Sequence, residues 1–299
     1  MNTNSYVIIT PAHNEERFIG NTIRSVTSQT VKPVKWIVVN DGSTDSTAEI
    51  VEACRSEHRF IELINVRRSG ERHFGNKVNA FNLGLAQAHR LEYDYIGNLD
   101  ADISFGPHYF EEILLEFGRD RSLGIAGGMV SSSVNGRFVR QDVSLDSVAG
   151  AVQLFRRACF ERIGGYLPLP QGGIDSAAEI MARMQGWQVR TFPELCVLEH
   201  RRTGSAKAGP LAARVQEGRR LYALGYSLSF FGLRCLYRSL KQPMLLGSLA
   251  ALYGFLRGMF GREAIVLPPE VVRFLRAEQR QKLLRKIPGL RKQRTLEIS

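Results

Sequence analysis

The sequence predicts an α/β body built on a parallel sheet, followed by a basic helical section. Three observations predict it. Through the first 130 residues, short β-branched runs alternate with amphipathic stretches, the pattern of βαβ units. The charge divides sharply: residues 1–200 carry 20 Lys and Arg against 24 Asp and Glu, a net −4, whereas residues 201–299 carry 20 against 5, a net +15. Beyond Arg202-Thr203-Gly204-Ser205, apolar stretches alternate with Arg and Lys, and acidic residues nearly vanish. The boundary is therefore placed near 204, giving a body of residues 1–204 and a basic, amphipathic helical region of residues 205–299.

Tyr6–Thr10 (YVIIT) is uniformly apolar and β-branched, which marks a buried strand. Glu16–Ser28 follows, with Phe18, Ile19, Ile23 and Val26 at helical spacing. Lys35–Asn40 (KWIVVN) is a second strand. Asp45 or Ser46 then caps a helix carrying Ala48, Ile50, Val51 and Ala53. Ile61–Val66 is a third strand, and Lys77–His89 a helix with Val78, Phe81, Leu85 and Ala88 on one side. Tyr93–Leu99 is a fourth strand and runs into Asp100-Ala101-Asp102. Residues 140–200 are more mixed. A Gly-rich segment (Gly164, Gly165, Gly172, Gly173) precedes a helix from about Ser176 to Gln185, and strands follow at Trp187–Phe192 and Val197–His200.

Composition removes several classes. At 299 residues, 44% hydrophobic and 23% charged, with 28 Gly and 11 Pro, the chain is neither collagen, disordered tail nor disulfide mini-protein. The overall +11 hints at nucleic acid, but the division of charge excludes a uniformly positive surface. Cys54, Cys159, Cys196 and Cys235 are widely spaced and form no CxxC pair, so reduced thiols are expected rather than a zinc site or disulfides. The opening MNTNSYVIITPAHNEE has no basic stretch and its apolar run stops at Pro11, so no secretory leader is expected. The longest uncharged runs, Leu221–Leu233 and Gln242–Leu256, have 13 and 15 residues. A spanning helix needs about 20.

In parallel sheets ligands bind at the carboxyl ends of strands, which directs attention to Pro11–Glu15, Asp41–Asp45 and Asp100–Asp102. Two carboxylates two residues apart after a strand can aim oxygens at one Mg2+ or Mn2+, and the same pair would suit a capped turn. Asp41-Gly42-Ser43-Thr44-Asp45 sits where a nucleotide would lie, with Asp41 able to accept from a base N–H. It also reads as a strand-to-helix turn. His200, followed by Arg201 and Arg202, is either structural or a third ligand near a metal-bound diphosphate. Asp175, between the Gly-rich loop and a helix start, suits a general base and equally an N-cap. No GxxxxGK[ST] or GxGxxG follows the first strand, which disfavours a P-loop or dinucleotide fold.

In order, the segments read PAHNE (11–15), NDGSTDST (40–47), RRSGERHFGNKVNAFNLG (67–84), NLDAD (98–102), GGID (172–175) and EHRRTG (199–204). This series resembles the family 2 glycosyltransferases over roughly residues 5–204. The resemblance implies the GT-A fold, a Rossmann-like mixed sheet that binds nucleotide-diphospho-sugars. It implies an inverting transfer from a nucleotide sugar to an acceptor hydroxyl. Pro11, His13, Glu15, Asp41, Lys77 and Asp100 would then hold the nucleotide sugar, with Arg68 or Arg72 beside Lys77. Asp100, Asp102 and His200 would hold a divalent cation, Mg2+ or Mn2+, and Asp175 would be the base. The family often carries Glu-Asp at the base; here Ile174 precedes Asp175, and Glu179, four residues on, is the competing carboxylate.

In the C-terminal section, Leu221–Arg238 and Pro243–Phe260 are rich in Leu, Phe and Tyr and are flanked by Arg219, Arg220, Arg234, Arg238, Lys241, Arg257 and Arg262. Apolar segments too short to span, edged by Arg and aromatic residues, suit helices lying in a membrane interface. Anionic lipid adds about 1 kcal/mol per basic residue there. A cytoplasmic protein peripheral on the inner face of the plasma membrane is expected, working on a lipid-linked or saccharide acceptor. The competing reading is a hairpin packed on the body with its Arg side chains solvated. Arg273–Arg294 is basic, helical and then frayed. Two rivals use other chemistry. A nucleic-acid binder would use the +15 section, but its basic residues are interleaved with long apolar runs. A sugar-nucleotide nucleotidyltransferase would want a Gly-rich basic loop after the first strand, where PAHNEERF is acidic.

Overall fold

The computed structural model describes residues 5–67, 75–134, 136–141, 144–201, 209–241 and 245–286. The chain divides into two compact units, Met1–Thr203 and Gly204–Ser299.

The first unit is a mixed nine-stranded sheet with helices on both faces. Its path is β3-β2-β1-β4-β8-β6-β9-β5, with β7 beside β6. β1 (Tyr6–Ala12), β2 (Lys35–Asp41), β3 (Ile61–Val66) and β4 (Tyr95–Leu99) run parallel, as their helical crossovers require. Those crossovers are α1 (Ile19–Thr27), α2 (Thr47–Glu57) and α3 (Gly75–Ala88). The parallel run ends at β4, which pairs antiparallel with β8 (Val152–Arg156). The rest comprises β5 (Ile103–Phe105), α4 (Tyr109–Arg119), β6 (Leu123–Val134), β7 (Arg137–Arg140), α5 (Arg157–Arg162), α6 (Ile174–Met184) and β9 (Gln188–Glu199).

The period of two along the strands splits the core into two layers. Tyr6, Ile8, Trp36 and Val38 face α1, α2 and α4, packing on Ile19, Ile23, Val51, Phe110 and Phe117. Val7, Ile9, Ile37 and Val39 face the other way, onto Val78 and Phe81 of α3, Phe160 of α5 and Ala178 of α6. Burial on both faces is why these strands read as unbroken apolar runs.

Several boundaries differ from the sequence reading. The first helix begins at Ile19, because Glu16 is drawn into the turn by Asp45 and Ser46. The two strands expected at 187–192 and 197–200 are one, β9, whose pairing with β6 jumps from Gly128↔Phe192 to Met129↔Cys196. That jump is a bulge around Pro193, which has no N–H to give the ladder. α6 starts two residues early, after Gly173 at φ 85°, so Asp175 lies in its first turn rather than before it.

The second unit holds α7 (Pro210–Ala223), α8 (Leu228–Lys241), α9 (Leu245–Phe260) and α10 (Pro269–Lys286). The apolar stretch 221–238 is not one helix: Gly225, at φ 84°, ends α7 and turns the chain into α8. α7 and α9 touch through glycine. A Cβ on Gly218 would stand 1.9 Å from the Ala251 carbonyl oxygen, and one on Gly254 would stand 2.0 Å from that of Val215. Glu217 binds Arg214 at 2.7 Å and Arg238 at 3.1 Å, and Arg219 binds Glu263 at 2.6 Å. Burial works against the Glu217 charge, but its two arginines hold its pKa below the ordinary value. Among the described residues no helix is long and apolar enough to cross a membrane.

Candidate functional site

The parallel strands β1, β2 and β4 deliver their carboxyl ends to one edge, where three turns meet. The β1 turn is locked to the β2 turn. Asn14, at φ 54°, donates its N–H to Ser43 Oγ (3.0 Å) and accepts the Thr44 N–H at its Oδ1 (2.9 Å). The Glu15 N–H donates to Thr47 Oγ1 at 2.8 Å. His13 places Nδ1 2.7 Å from the Asp41 carbonyl oxygen, and Gly42 follows at φ 67°. Pro11 near the end of β1, His13 and Glu15 in the turn after it, and Asp41 at the end of β2 thus lie at neighbouring strand ends.

At the end of β4, Asp100 receives Lys77 Nζ from α3 at 2.5 Å and Asn98 Nδ2 at 3.3 Å. Asn98 Nδ2 also donates to the Gly150 carbonyl at 2.7 Å, and Lys77 reaches the same oxygen at 3.5 Å. Burial disfavours the Lys77 charge, but Asp100 outweighs it and the Lys77 pKa is raised. Asp175 joins from the opposite element: a Cβ on Gly150 would stand 2.9 Å from Asp175 Oδ2. Gly150 therefore lies between the base candidate and the Asp100–Lys77 pair.

Asp102 is largely shielded from solvent and its pKa is pushed up to about 7, by burial first and then by the like charges of Asp100 and Glu199. Arg201, with Nε 3.7 Å from Asp102 Oδ2, and Lys77 pull the other way. Arg201 also binds Glu15 and lies over the Phe18 ring at 5.6 Å, so it ties the end of β9 to the β1 turn. Asp100 and Asp102 bring their carboxylates together at the end of β4, a donor set suited to a hard divalent cation. Asp100 and Asp102 fit that role. His200 stands beside Asp102 in the β5–β9 ladder, its N–H donating to the Asp102 carbonyl at 2.8 Å. Its ring is engaged elsewhere, with Nε2 2.8 Å from Ser104 Oγ and contacts to Phe18 and Phe138. Burial, then Arg24, lowers its pKa. Among the described residues no three His, Cys, Asp or Glu side chains gather as a ready metal cluster.

Glu179, the competing carboxylate, is 3% exposed and points into the protein. It accepts the Val148 N–H at 2.7 Å and the Ser147 hydroxyl at 2.9 Å. Burial, then Asp175, pushes its pKa up to about 8. A side chain so enclosed does not meet an acceptor hydroxyl, which leaves Asp175 as the accessible carboxylate of the pair. A cleft of about 420 Å3 opens at the β1–α1 turn between Asn14, Glu16, Arg17, Phe18, Asp45 and Arg201. None of Asp100, Asp102 and Asp175 lines it, so it borders the carboxylate site without containing it.

Asn98, Gly150 and Glu199 belong to the site and were not singled out as site residues from the sequence. Asn98 stood inside NLDAD and Glu199 opened EHRRTG, so their motifs marked them; Gly150 arrives from a distant segment and carries no local signal. Arg68 and Arg72, proposed beside Lys77, and Arg202 lie outside the described residues.

A mixed sheet with this strand order and a carboxylate-lined edge defines a GT-A glycosyltransferase. The whole chain is similar to residues 1–349 of S. aureus TarS in complex with UDP-GlcNAc (TM-score 0.55, 17% identity, 94% of this chain and 81% of that one). It is similar to the mannosyltransferase PcManGT from Pyrobaculum calidifontis with GDP-Man and Mn2+ (TM-score 0.55, 16% identity, 95% and 81%). The model of Glycosyl transferase family 2 matches residues 7–169, and the chain belongs to that family. Among its relatives are the poly-beta-1,6-N-acetyl-D-glucosamine synthases of Staphylococcus epidermidis (28% identical over 176 residues) and Staphylococcus aureus strain COL (30% over 148 residues). These matches cover 51% and 47% of this chain, and only 39% and 32% of those relatives. The chain is thus a family 2 glycosyltransferase with the GT-A fold.

Proposed function

We propose that the protein transfers a sugar, with inversion and with a divalent cation, from a nucleoside diphosphate sugar to a hydroxyl of a lipid-linked or saccharide acceptor at a membrane surface. The observation that carries the catalytic part is the convergence on Gly150: Lys77, paired with Asp100, reaches its carbonyl, and Asp175 packs against its Cα at the ends of the parallel strands. Nucleotides in the solved relatives support it: one holds UDP-GlcNAc, the other GDP-Man with Mn2+.

Pro11, His13, Glu15 and Asp41 surround base and ribose. Lys77, kept charged by Asp100, faces the diphosphate, and Asp100 meets the ribose or the cation. Asp102 holds the cation. His200 is the third protein candidate, and to serve at Nε2 it has to release the Ser104 hydroxyl. When bound, Mg2+ or Mn2+ neutralises the departing diphosphate as a Lewis acid. Asp175, in the first turn of α6, takes the proton of the acceptor hydroxyl as it attacks the anomeric carbon. One displacement inverts the configuration. Proton NMR of the first product tests this: an anomer opposite to that of the donor supports it, and retention refutes it.

The second unit supports the membrane part. On α9, Ala251, Gly254, Phe255 and Gly258 are buried, while Leu246, Leu249, Tyr253 and Phe260 on the opposite side are exposed, Leu246 to 70% and Phe260 to 76%. An apolar helix face left in water, on a helix with no acidic residue, suits lipid. At 16 residues it is about 24 Å long, short of the roughly 30 Å needed to span. The placement is peripheral, on the cytoplasmic face of the plasma membrane, with anionic headgroups opposite the +15 section.

A further inference from the structure

Both carboxylates of α6 bear on one segment, in different ways. Asp175 packs on Gly150. Glu179, one turn further along the same helix, spends its oxygens on the residues around that glycine. Its Oε2 accepts the Ser147 hydroxyl at 2.9 Å; its Oε1 accepts the Val148 N–H at 2.7 Å and Gln153 Nε2 at 3.3 Å. Gln153 is itself fixed, donating to the Val148 carbonyl at 3.1 Å and accepting the Tyr166 hydroxyl at 2.8 Å. Arg183, from the next turn of α6, lies 3.7 Å from Glu179 Oε2. The segment thus held, 147–153, carries in its middle the carbonyl that Asn98 and Lys77 share, the two side chains that hold Asp100.

The chain of contacts runs from α6 through Glu179 to Val148, then Gly150, and back to Asp175 and Asp100. We propose that Glu179 is a positioning residue: by clamping residues 147–151 to α6 it sets the separation between the proton-accepting Asp175 and the Asp100–Lys77 pair that faces the donor. It acts through Ser147 and Val148 and touches no substrate. The inference rests on the reading of Asp175 as the base.

Two properties follow. The clamp needs acceptor oxygens, so glutamine, which keeps one and has the same shape, holds the segment where alanine does not. The nucleotide turns at 11–15 and 41–47 are held by their own hydrogen bonds and do not depend on it. A purely structural glutamate would instead lower stability and leave the rate per folded molecule unchanged.

The experiment compares the full-length wild type, Glu179→Ala and Glu179→Gln. Four quantities are read: UDP affinity with Mn2+, kcat and donor KM on the best sugar nucleotide of a UDP- and GDP-sugar panel, and amide hydrogen exchange over 147–151. Glu179→Ala is expected to lose kcat by on the order of 10- to 100-fold, since displacement of a catalytic group by about 1 Å costs that much. Its donor KM and UDP affinity stay near wild type, and the Val148 amide exchanges faster. Glu179→Gln recovers kcat and protection. Unchanged kcat and unchanged exchange in Glu179→Ala overturn the proposal. A folded, UDP-binding Glu179→Gln as inactive as Asp175→Asn also overturns it, because Glu179 would then be the proton acceptor. Absence of wild-type turnover on every sugar nucleotide counts against the proposed function instead, and the exchange data still judge the clamp.

Discussion

Gly150→Ala isolates the geometry on which the catalytic reading stands. Gly150 does not occupy the left-handed region, so the backbone accepts alanine, and the whole effect comes from one added methyl. That methyl would stand 2.9 Å from Asp175 Oδ2 and 3.1 Å from both its Cβ and its Cγ, against 3.4 Å for ordinary contact. The carboxylate has to move by about 0.5 Å, and because Cβ and Cγ are crowded as well, a rotation of the carboxylate alone does not relieve it. A 1 Å displacement of a reacting group costs about 100-fold, so a loss of about 10- to 100-fold in kcat is expected, or roughly 1.4–2.7 kcal/mol in the barrier. Initial-rate kinetics on the preferred sugar nucleotide measure it, with UDP titration as the control for the intact nucleotide turns. A variant that keeps wild-type kcat would show that Asp175 does not work from the position packed on Gly150.

The other predictions follow from the same contacts. Asp102→Ala and Asp175→Asn each abolish transfer while near-wild-type circular dichroism shows the fold intact; full transfer by Asp175→Asn removes it as the base. Glu179 has its pKa raised from an ordinary 4.5 to about 8, so the folded state holds a proton that the unfolded chain has lost between those values. Stability therefore falls as pH rises through that window and levels off above it. Denaturant titrations should show Glu179→Gln with a flatter profile between pH 5 and about 8 than wild type; an equally steep profile contradicts the assignment. Wild-type protein should sediment with vesicles containing anionic lipid and less so at high salt. Leu246→Glu with Phe260→Glu should release it, and equal recovery in the supernatant with and without vesicles refutes the membrane placement.

Most of the carboxyl edge of the parallel strands was legible because those strands are buried on both faces. Their apolar runs, YVIIT and KWIVVN, announce themselves, and the polar residues that follow must then sit at the strand ends. Lys77 and Asp100 fall in motifs and also meet in space. The second half of the sheet was less legible. β8 pairs with β6 and β4 across long sequence separations, and it lies antiparallel to β4, a choice that no local pattern in Val152–Arg156 encodes. β9 looked like two strands because Pro193 interrupts it, and only the bulge against β6 joins them. Gly150 and Glu199 act through positions set by that long-range pairing. Glu179 was visible as a carboxylate, but its burial, which decides its role, depends on segment 147–153 folding over it.

The most direct test of the account is nucleotide release from a panel of UDP-, GDP-, dTDP- and CDP-sugars by the full-length protein, with Mn2+, with Mg2+ and with EDTA. The account predicts turnover of one nucleotide class, abolished by EDTA and absent in Asp102→Ala under every condition. Turnover that persists in EDTA, or an Asp102→Ala variant as active as wild type, would contradict it.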